Sequence, residues 1–547
     1  MSACALNLWV FRDTRRTVSG QELKKQLLRE VEPLARTRSQ ESVLRALLRA
    51  GELECGVTDA GVCPAPFQIA TDHVAEMLIG SELSFQPDTI VDSLDGSFVP
   101  EELSIAEPEG FSYYALHPMA YPDAVASSLP GSSRVAVVGI RSIGTTLSAI
   151  VSAALKAQGR RAGRITVRPQ GHPYNRELKL SNYEEDFVRK ALADDSEFLV
   201  VDEGPGLSGS SFLSVAEALA AAGVSKQKIT LLCSHRPDLD SFRCNDGSRR
   251  AREFRWLPVD SKPRKPEVES FYIGGGHWRA HLMATEQQWP ASWVNLERAK
   301  YCTAGTTNEP LLFKFVGLAH YGERIIQREA LLAQEKFGPA PQPASDGFAS
   351  YPWLRGRPMC AHDLNDSALS RLAEYCAFRE RSFRTDLRYL EVLQSMAEFN
   401  QTQLQLDFPV SLRLERPVIA DGRMQPHEWL LLPDGRMLKT DSGSHGDDHF
   451  FPGPTDIAWD LAGAIVEWQM DEAQAEAFLE RYRQSSGDNP AARIADFVIA
   501  YSVFRTAYCL MAANALSGME EEPRLTLAAD QYRTNLAARR EEMANTI

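Results

Sequence analysis

The chain has 547 residues, which is more than one hydrophobic core usually organises, so several domains are expected. Hydrophobic residues make up 44% of the sequence and charged residues 24%, as in ordinary globular proteins, and the formal net charge is −14. This acidic balance, without a dense Lys/Arg block, argues against nucleic acid or an anionic membrane as the main partner.

Cysteine usage and the apolar segments favour a cytoplasmic protein. The nine cysteines are scattered without a CxxC pair, as expected for reduced thiols. Charge follows the apolar stretch at the amino end, which is the reverse of a secretory signal. The longest apolar run, residues 497–516, contains Arg505 near its middle. A central Arg costs roughly 2.5–3.5 kcal/mol in a bilayer, so this run is predicted to be a buried core helix.

The first 125 residues are interpreted as a cap. Residues 21–50 have the leucine spacing of helices, and the pattern is predicted to end at Gly51. From there to about residue 125 the sequence is irregular and rich in aromatic and turn residues. Phe111, Tyr113 and Tyr114 are candidates either for an acceptor pocket or for plain core.

From residue 134 to about 233, predicted strands and helices alternate. Such alternation predicts a right-handed parallel α/β sheet that binds ligands at the carboxyl ends of its strands. The predicted strands are 134–140, 163–167, 198–202 and 228–233, and the predicted helices are 145–157, 183–193 and 210–222.

An acidic pair follows the third of these strands. Asp202 and Glu203 precede a loop of Gly, Pro and Ser that leads into a helix. Such a loop exposes backbone N–H groups, and a helix N-terminus favours anions. Carboxylates beside a phosphate cradle suit a ligand that carries both hydroxyls and phosphates. The glycine-lysine of a Walker loop and the GxGxxG of a dinucleotide turn are both absent.

This pattern, LVVDE followed by SGSS, resembles the type I phosphoribosyltransferases. The motifs EGFSYYALHP, RPQGHPYNR and GGGHWR, which span roughly residues 100–300, are similar, more loosely, to an orotate-phosphoribosyltransferase-like group of bacterial tellurium-resistance and stress operons. The resemblance implies that Asp202 and Glu203 hold the ribose hydroxyls of phosphoribosyl pyrophosphate. It implies that Arg168 and His172 act catalytically on the leaving pyrophosphate together with Mg²⁺. The other implied contacts to this substrate are Arg141, Gly144, Arg176, Ser208, Gly209, Ser210 and Ser211.

The second half of the sequence has features of a kinase. Lys314 lies on a predicted strand at 311–317, and Glu329 lies on a predicted helix at 322–333. A strand lysine that meets phosphate and a helical glutamate that orients it form a recurring kinase pair. Residues 348–359, FASYPWLRGRPM, resemble the interlobe linker of aminoglycoside phosphotransferase-like kinases. The resemblance implies that Lys314 and Glu329 bind ATP.

Residues further along extend the resemblance. It implies that Asp421 is the catalytic base, that Glu428 and Asp441 bind Mg²⁺, and that Asp460 is a buried carboxylate bracing the catalytic loop. Six residues separate Asp421 from Glu428, whereas the usual motif has four. The base therefore stays open among Asp421 and the alternatives His427, Asp447 and Asp448.

Two other interpretations of this half of the sequence also stay open. One is a degenerate lobe without catalysis. The other is a metal site, although its ligands have neither helical spacing nor the spacing of a zinc knuckle. Its ligands would be His445, His449, Asp447 and Asp448.

The sequence therefore predicts an α/β protein in three parts. These are a cap at 1–125, a parallel-sheet phosphoribosyltransferase fold at 126–295, and a bilobal kinase-like domain at 296–547, with lobes 296–358 and 359–547. The predicted function is transfer of ribose 5-phosphate to a small-molecule acceptor and ATP-dependent phosphorylation of a small molecule, the ribosylated product being one candidate. The alternatives are a sensor without chemistry in one or both domains, and a kinase with a regulatory domain. The expected partners are small molecules, with a homodimer through the phosphoribosyltransferase domain.

Overall fold

The computed structural model describes residues 7–36, 38–80, 87–128, 134–172, 174–206, 208–259, 263–264, 266, 268–303, 309–386, 390–446 and 448–545. The protein is α/β, as predicted. One five-stranded parallel sheet lies in its first half, and one five-stranded antiparallel sheet begins its second half.

The cap is mostly helical. Its elements are β1 (Arg16–Ser19), α1 (Gly20–Val31), α2 (Gln40–Asp59), α3 (Ala65–Ile79), α4 (Pro87–Leu94), β2 (Glu102–Ile105), α5 (Glu109–Ser112) and α6 (Ala120–Ser128). The part of the cap whose sequence pattern is irregular, residues 51–125, thus includes helices α3, α4, α5 and most of α6. Helix α2 also continues through Gly51 instead of ending there. A Cβ atom at Gly51 would lie 2.0 Å from Thr146 Oγ1, so this glycine allows close packing between helices.

The predicted strand and helix alternation is confirmed in the next part. Its main elements are β3 (Arg134–Ile140), α7 (Ile143–Ala157), β4 (Arg161–Val167), β5 (Gln170–His172), β6 (Asn175–Glu177), α8 (Asn182–Ala193), β7 (Glu197–Val201), α9 (Ser210–Ala221), β8 (Ile229–Cys233), α10 (Gly247–Ala251) and β9 (Arg255–Pro258). The parallel sheet has the order β4-β3-β7-β8-β9, and β5 and β6 form a separate hairpin. Strand β9 completes the sheet and was not predicted.

The carboxyl-terminal half begins with an antiparallel sheet and continues with helices. Its elements are β10 (Ser270–Tyr272), α11 (Arg279–Leu282), β11 (Lys300–Thr303), β12 (Leu311–Phe315), α12 (His320–Gln334), β13 (Gln342–Pro343), β14 (Phe348–Pro352), β15 (Arg357–Pro358), α13 (Asp366–Ser382), α14 (Leu390–Leu404), β16 (Pro417–Ile419), β17 (Trp429–Leu431), β18 (Met437–Lys439), β19 (Pro454–Asp456), α15 (Ala458–Glu467), α16 (Glu472–Ser486), α17 (Ile494–Ala515) and α18 (Glu521–Asn545). The antiparallel sheet has the order β10-β11-β12-β14-β13. A cleft separates this sheet from the helices.

Helix α17 is the apolar run that the sequence analysis assigned to the core. Among the described residues it is the one helix long and apolar enough to cross a bilayer, and two thirds of its most apolar window is buried inside the protein. The Nε atom of Arg505 lies 3.2 Å from the carboxylate of Glu467, on α15. An ion pair at this position is expected of a core helix that carries one charge.

The amino end packs on the far end of the chain. Leu8 and Val10 are buried in the same hydrophobic cluster as the carboxyl-terminal helices. Phe11 forms a β-bridge with Phe450, and Asn400 on α14 exchanges two 2.8 Å hydrogen bonds with the backbone of Trp9. Residues 7–12 thus depart from the predicted cap range, because their apolar side chains are buried in the helical part of the second half.

Candidate functional sites

The first candidate site lies at the carboxyl ends of three adjacent strands. Arg141 follows β3, Arg168 follows β4, and Asp202 follows β7, so parallel pairing brings them to one edge of the sheet. Gly144 belongs to the same edge, since a Cβ atom there would lie 2.7 Å from Val201 O. The sequence predicted each of these residues as a substrate contact, and the fold brings them together.

The acidic pair is held by the cap. The backbone N–H of Gly110 donates to Glu203 Oε2 at 2.9 Å, and the hydroxyl of Tyr121 donates to the carbonyl of Asp202 at 2.8 Å. Burial raises the pKa of Asp202 to about 7. Burial, together with the neighbouring carboxylates of Glu109 and Asp202, raises the pKa of Glu203 to about 8. Carboxyl groups with pKa values raised this far are typical of functional sites.

The arginines of this site are held by an acidic residue that the sequence analysis missed. Asp59, the last residue of α2, accepts a hydrogen bond from Arg168 Nε at 3.1 Å and pairs with Arg141 Nε at 3.1 Å. Arg168 also donates to the carbonyl of Arg141 at 2.6 Å. The α2 pattern gives no signal for this role, because the contact joins residues about 110 positions apart.

The predicted phosphate loop has the local geometry of a helix entry. Gly209 adopts φ 68° before α9, and a Cβ atom there would lie 2.4 Å from Phe242. Ser208 Oγ accepts a hydrogen bond from Ser210 N at 3.2 Å, and Ser211 lies in the first turn of α9.

The β5–β6 hairpin carries the two remaining predicted residues. His172 is exposed on this hairpin and stacks on Tyr174, with ring centroids 5.7 Å apart. Burial and the charge of Arg168 lower the pKa of Arg176. His172 is exposed, whereas Arg176 on the same hairpin is half-buried and interacts through space with Asp202 of the acidic pair.

The second candidate site is the cleft of the carboxyl-terminal half. It is lined on one side by Leu312 and Lys314 of β12 and by residues 351–354, and on the other by Leu430 and Asp441. Residues 351–354 belong to the segment that resembles an interlobe linker. Apolar walls that end in charged groups are typical of small-molecule sites.

Lys314 is the centre of the polar end of the cleft. Its side chain is almost fully buried and pairs with Asp441, and its Nζ atom lies 3.6 Å from Glu329 Oε1 and 3.0 Å from Ser444 Oγ. Tyr351 donates a hydrogen bond to the other oxygen of Glu329. Burial would raise the pKa of Asp441, but His445 and Lys314 hold it well below its usual range. The predicted lysine, glutamate and aspartate therefore meet at one point.

Asp421, the predicted base, is not among the residues that line the cleft. The residue has no exposed surface, and its carboxylate accepts a hydrogen bond from Tyr375 and lies 3.4 Å from Lys439 Nζ. Burial would raise the pKa of this carboxyl, but Lys439 and His445 lower it to about 2.

Asp460 has the predicted bracing position. Its carboxylate accepts hydrogen bonds from the backbone N–H groups of Asp421 and Gly422, at 2.8 and 2.9 Å. Helix α15 thereby fixes the backbone immediately before Arg423, whose side chain lines the cleft.

Two alternative bases do line the cleft. Asp448 accepts a 2.8 Å hydrogen bond from Phe450 N, and burial raises its pKa. His427 stacks on Trp278 with ring centroids 6.1 Å apart, and burial lowers its pKa to about 4. Asp447 lies outside the described residues.

The donors for a metal are two carboxylates. Glu428 and Asp441 both line the cleft, and Glu428 Oε2 lies 3.8 Å from Lys439 Nζ. Mg²⁺ is usually bound by one or two carboxylates together with substrate phosphates, so these two residues fit the ion. No group of three or more His, Cys, Asp or Glu side chains suited to a metal occurs within the described ranges, and the alternative histidine-aspartate site includes Asp447, which lies outside them.

One short segment separates the two sites. Its Gly110 contacts Glu203, and the hydroxyl of Tyr114 lies 3.0 Å from His449 Nε2 at the cleft. Arg298, which also lines the cleft, donates to the carbonyl of Ser112 at 2.7 Å. Residues 109–114 therefore form a wall that is common to both sites.

Comparisons with known proteins find similarity to solved phosphotransferases. A choline/ethanolamine kinase family protein from Mesorhizobium loti is 15% identical, with a TM-score of 0.32, over 47% of this chain and 93% of that one. A macrolide 2'-phosphotransferase from Brachybacterium faecium is 14% identical, with a TM-score of 0.31, over 46% and 96%. An aminoglycoside phosphotransferase from Alicyclobacillus acidocaldarius is 12% identical, with a TM-score of 0.26, over 45% and 90%. No protein-family model and no curated protein matches the sequence.

Proposed function

We propose that the chain is a bifunctional transferase whose second half is an ATP-dependent small-molecule kinase. The observation that carries the kinase assignment is the meeting of Lys314, Glu329 and Asp441 beside a cleft that both apolar and charged residues line. Lys314 would bind nucleotide phosphates, and Glu329 would orient it. Glu428 and Asp441 would hold Mg²⁺, which neutralises phosphate charge.

In the kinase reaction the base is assigned to Asp448. The acceptor hydroxyl gives its proton to the Asp448 carboxylate, the new oxygen–phosphorus bond forms at the γ-phosphate, and the bond to the β-phosphate oxygen breaks to release ADP. A cleft-lining carboxylate with a raised pKa is a better proton acceptor than the buried Asp421, whose pKa is low. The spacing anomaly between Asp421 and Glu428 supports this reassignment.

The first half is proposed to be a phosphoribosyltransferase. Five parallel strands carry an acidic pair, two arginines and a Gly/Ser loop at one edge, as the resemblance implies. The acceptor would form a bond to the ribose C1 atom while the bond from C1 to the diphosphate oxygen breaks. Asp202 and Glu203 would hold the ribose hydroxyls, and Arg168 would offset charge on the leaving diphosphate.

We further propose that the ribosylated product is the kinase substrate. The wall at residues 109–114 supports this order, because it contacts Glu203 on one side and the cleft residue His449 on the other. A cytoplasmic location and a homodimer through the parallel-sheet domain belong to the same proposal.

A sensor without chemistry is the second candidate function. The burial of Asp421 favours it, since the predicted base is withdrawn from the cleft. A sensor would bind both ligands without turnover.

Time-resolved product analysis by mass spectrometry tests these proposals. The protein is incubated with ATP, phosphoribosyl pyrophosphate, Mg²⁺ and a cell-metabolite extract. Asp202→Asn should give neither product, whereas Asp441→Asn should let the ribosylated intermediate accumulate. Transfer of phosphate from ATP without phosphoribosyl pyrophosphate would refute the order, and binding of both ligands without any product would favour the sensor.

A further inference from the structure

Arg423 is a cation in the cleft that no described side chain neutralises directly. Its guanidinium makes no hydrogen bond and no ion pair within 4.0 Å to the described residues, although it lines the cleft. The nearest charged groups act only through space: Asp448 and Glu428 attract it and Arg505 repels it. A partly buried cation without a direct partner points to a ligand of opposite charge.

The other cations that line the cleft are already engaged. Lys314 pairs with Asp441 and Glu329, and Lys300 Nζ lies 4.0 Å from Glu297 Oε2. Arg298 donates to three backbone carbonyls, at 2.7, 3.4 and 3.2 Å.

A second guanidinium extends the same surface. Arg505 lies 5.1 Å from the ring of Tyr508 and 5.2 Å from the ring of Tyr532, and its Nε atom pairs with Glu467. Its terminal nitrogens make no hydrogen bond to a described residue, and the side chain lines the cleft. Ring stacking thus fixes a guanidinium whose outer donors remain available.

These arginines lie on the helical side of the cleft. Arg423 is held in place by the backbone that Asp460 braces, and Arg505 projects from α17. Lys314, which we assign to the nucleotide phosphates, comes from the opposite side, on β12. An anion bound by the arginines is assigned to the acceptor, and the AMP-PNP affinity of Arg423→Met tests that assignment against the nucleotide.

We infer that Arg423 and Arg505 bind a phosphate monoester of the molecule that receives the γ-phosphate. This inference rests on the proposed kinase function and names its substrate class. Guanidinium groups bind phosphate through paired, charge-assisted hydrogen bonds, and two of them beside each other select a doubly charged group. The ribosylated product proposed above would carry such a 5-phosphate.

The test uses ribose 5-phosphate as the probe, with the full-length protein saturated with AMP-PNP and Mg²⁺. Because the Ser208–Ser211 loop is also a candidate phosphate site, binding is measured by calorimetry in a Ser208→Ala/Ser211→Ala background. Arg423→Met should weaken binding at least tenfold, Arg423→Lys should weaken it less, and ribose without phosphate should not bind. The control is Arg436→Met, on an exposed turn beside Asp434, which should change nothing.

Each result of this test is decisive. Equal affinity in the wild type and Arg423→Met, with both melting at the same temperature, would overturn the inference. An equal loss of AMP-PNP affinity would also overturn it, because the arginine would then serve the nucleotide. If AMP-PNP does not bind but ribose 5-phosphate binding still depends on Arg423, the anion site stands and the kinase proposal fails.

Discussion

Replacing Glu203 with glutamine should stabilise the protein at alkaline pH. The pKa of this carboxyl is raised from an ordinary 4.5 to about 8, mainly by burial and then by Glu109 and Asp202. Because the folded state holds its proton more tightly than the unfolded state, the carboxyl destabilises the fold progressively as pH rises from about 4.5 to about 8, and by a constant amount above that.

The size of this effect follows from the two pKa values. At about 1.4 kcal/mol for each pH unit between them, the upper limit is roughly 5 kcal/mol. Glu203 is partly exposed, so water screens part of this cost, and we expect Glu203→Gln to raise the free energy of unfolding by about 2 kcal/mol at pH 9. The glutamine keeps an oxygen that can accept the hydrogen bond from Gly110.

Urea unfolding of the wild type and Glu203→Gln at pH 5, 7 and 9 measures this difference. The gain should be small at pH 5 and largest at pH 9. Glu185→Gln, at an exposed position of α8, is the control and should show no gain at any pH. A gain that is the same at pH 5 and pH 9, or a loss of stability at pH 9, would refute the reasoning.

Three further predictions concern the cleft and the shared wall. Asp441→Asn should abolish most of the rise in melting temperature that ATP with Mg²⁺ causes, because a metal ligand is lost, and a wild type with no such rise would contradict the kinase assignment. Asp460→Ala should lower the free energy of unfolding by about 3 kcal/mol, because the backbone N–H groups of Asp421 and Gly422 would be buried without an acceptor. Urea unfolding measures this loss, and Asp460→Asn, which keeps an acceptor oxygen, should lose less. Gly110→Ala should weaken phosphoribosyl pyrophosphate binding in calorimetry, because its Cβ would lie 2.8 Å from the Glu203 carboxylate, and an unchanged affinity would show that the wall tolerates displacement.

Helices and strands with a regular hydrophobic pattern could be predicted from the sequence, because that pattern depends on which residues are buried locally. The apolar runs at 134–140 and 229–233 are strands, and the boundaries of α8 differ from the predicted ones by one residue at the start. The prediction of a helix end at Gly51 rests on the same kind of local pattern. Its actual role depends on Thr146, on a different helix, which no local pattern reveals.

Residues of the candidate sites could likewise be predicted where local patterns fix their positions, and could not where distant contacts do. Lys314, Glu329 and Asp441 could be identified because a strand, a helix and a linker fix their relative order, and the structure brings them together. The role of Asp421 as the base stays a prediction, because spacing alone does not tell which side of a loop faces the cleft. Asp59 had no signal at all, since its partner Arg168 lies 109 residues away.

The packing of residues 7–12 on the carboxyl-terminal helices has a consequence for how the protein is made. Phe11 emerges from the ribosome long before Phe450, its bridging partner. At typical translation rates of 5–20 residues per second, the amino-terminal segment waits roughly 20 to 90 s for the surface it covers. During that interval Phe11 lacks Phe450 and Trp9 lacks Asn400 and Phe451, and the last helices in turn have an incomplete core until the segment docks. Residues 7–12 are therefore among the last to reach their final place, although they are synthesised long before the residues they pack on.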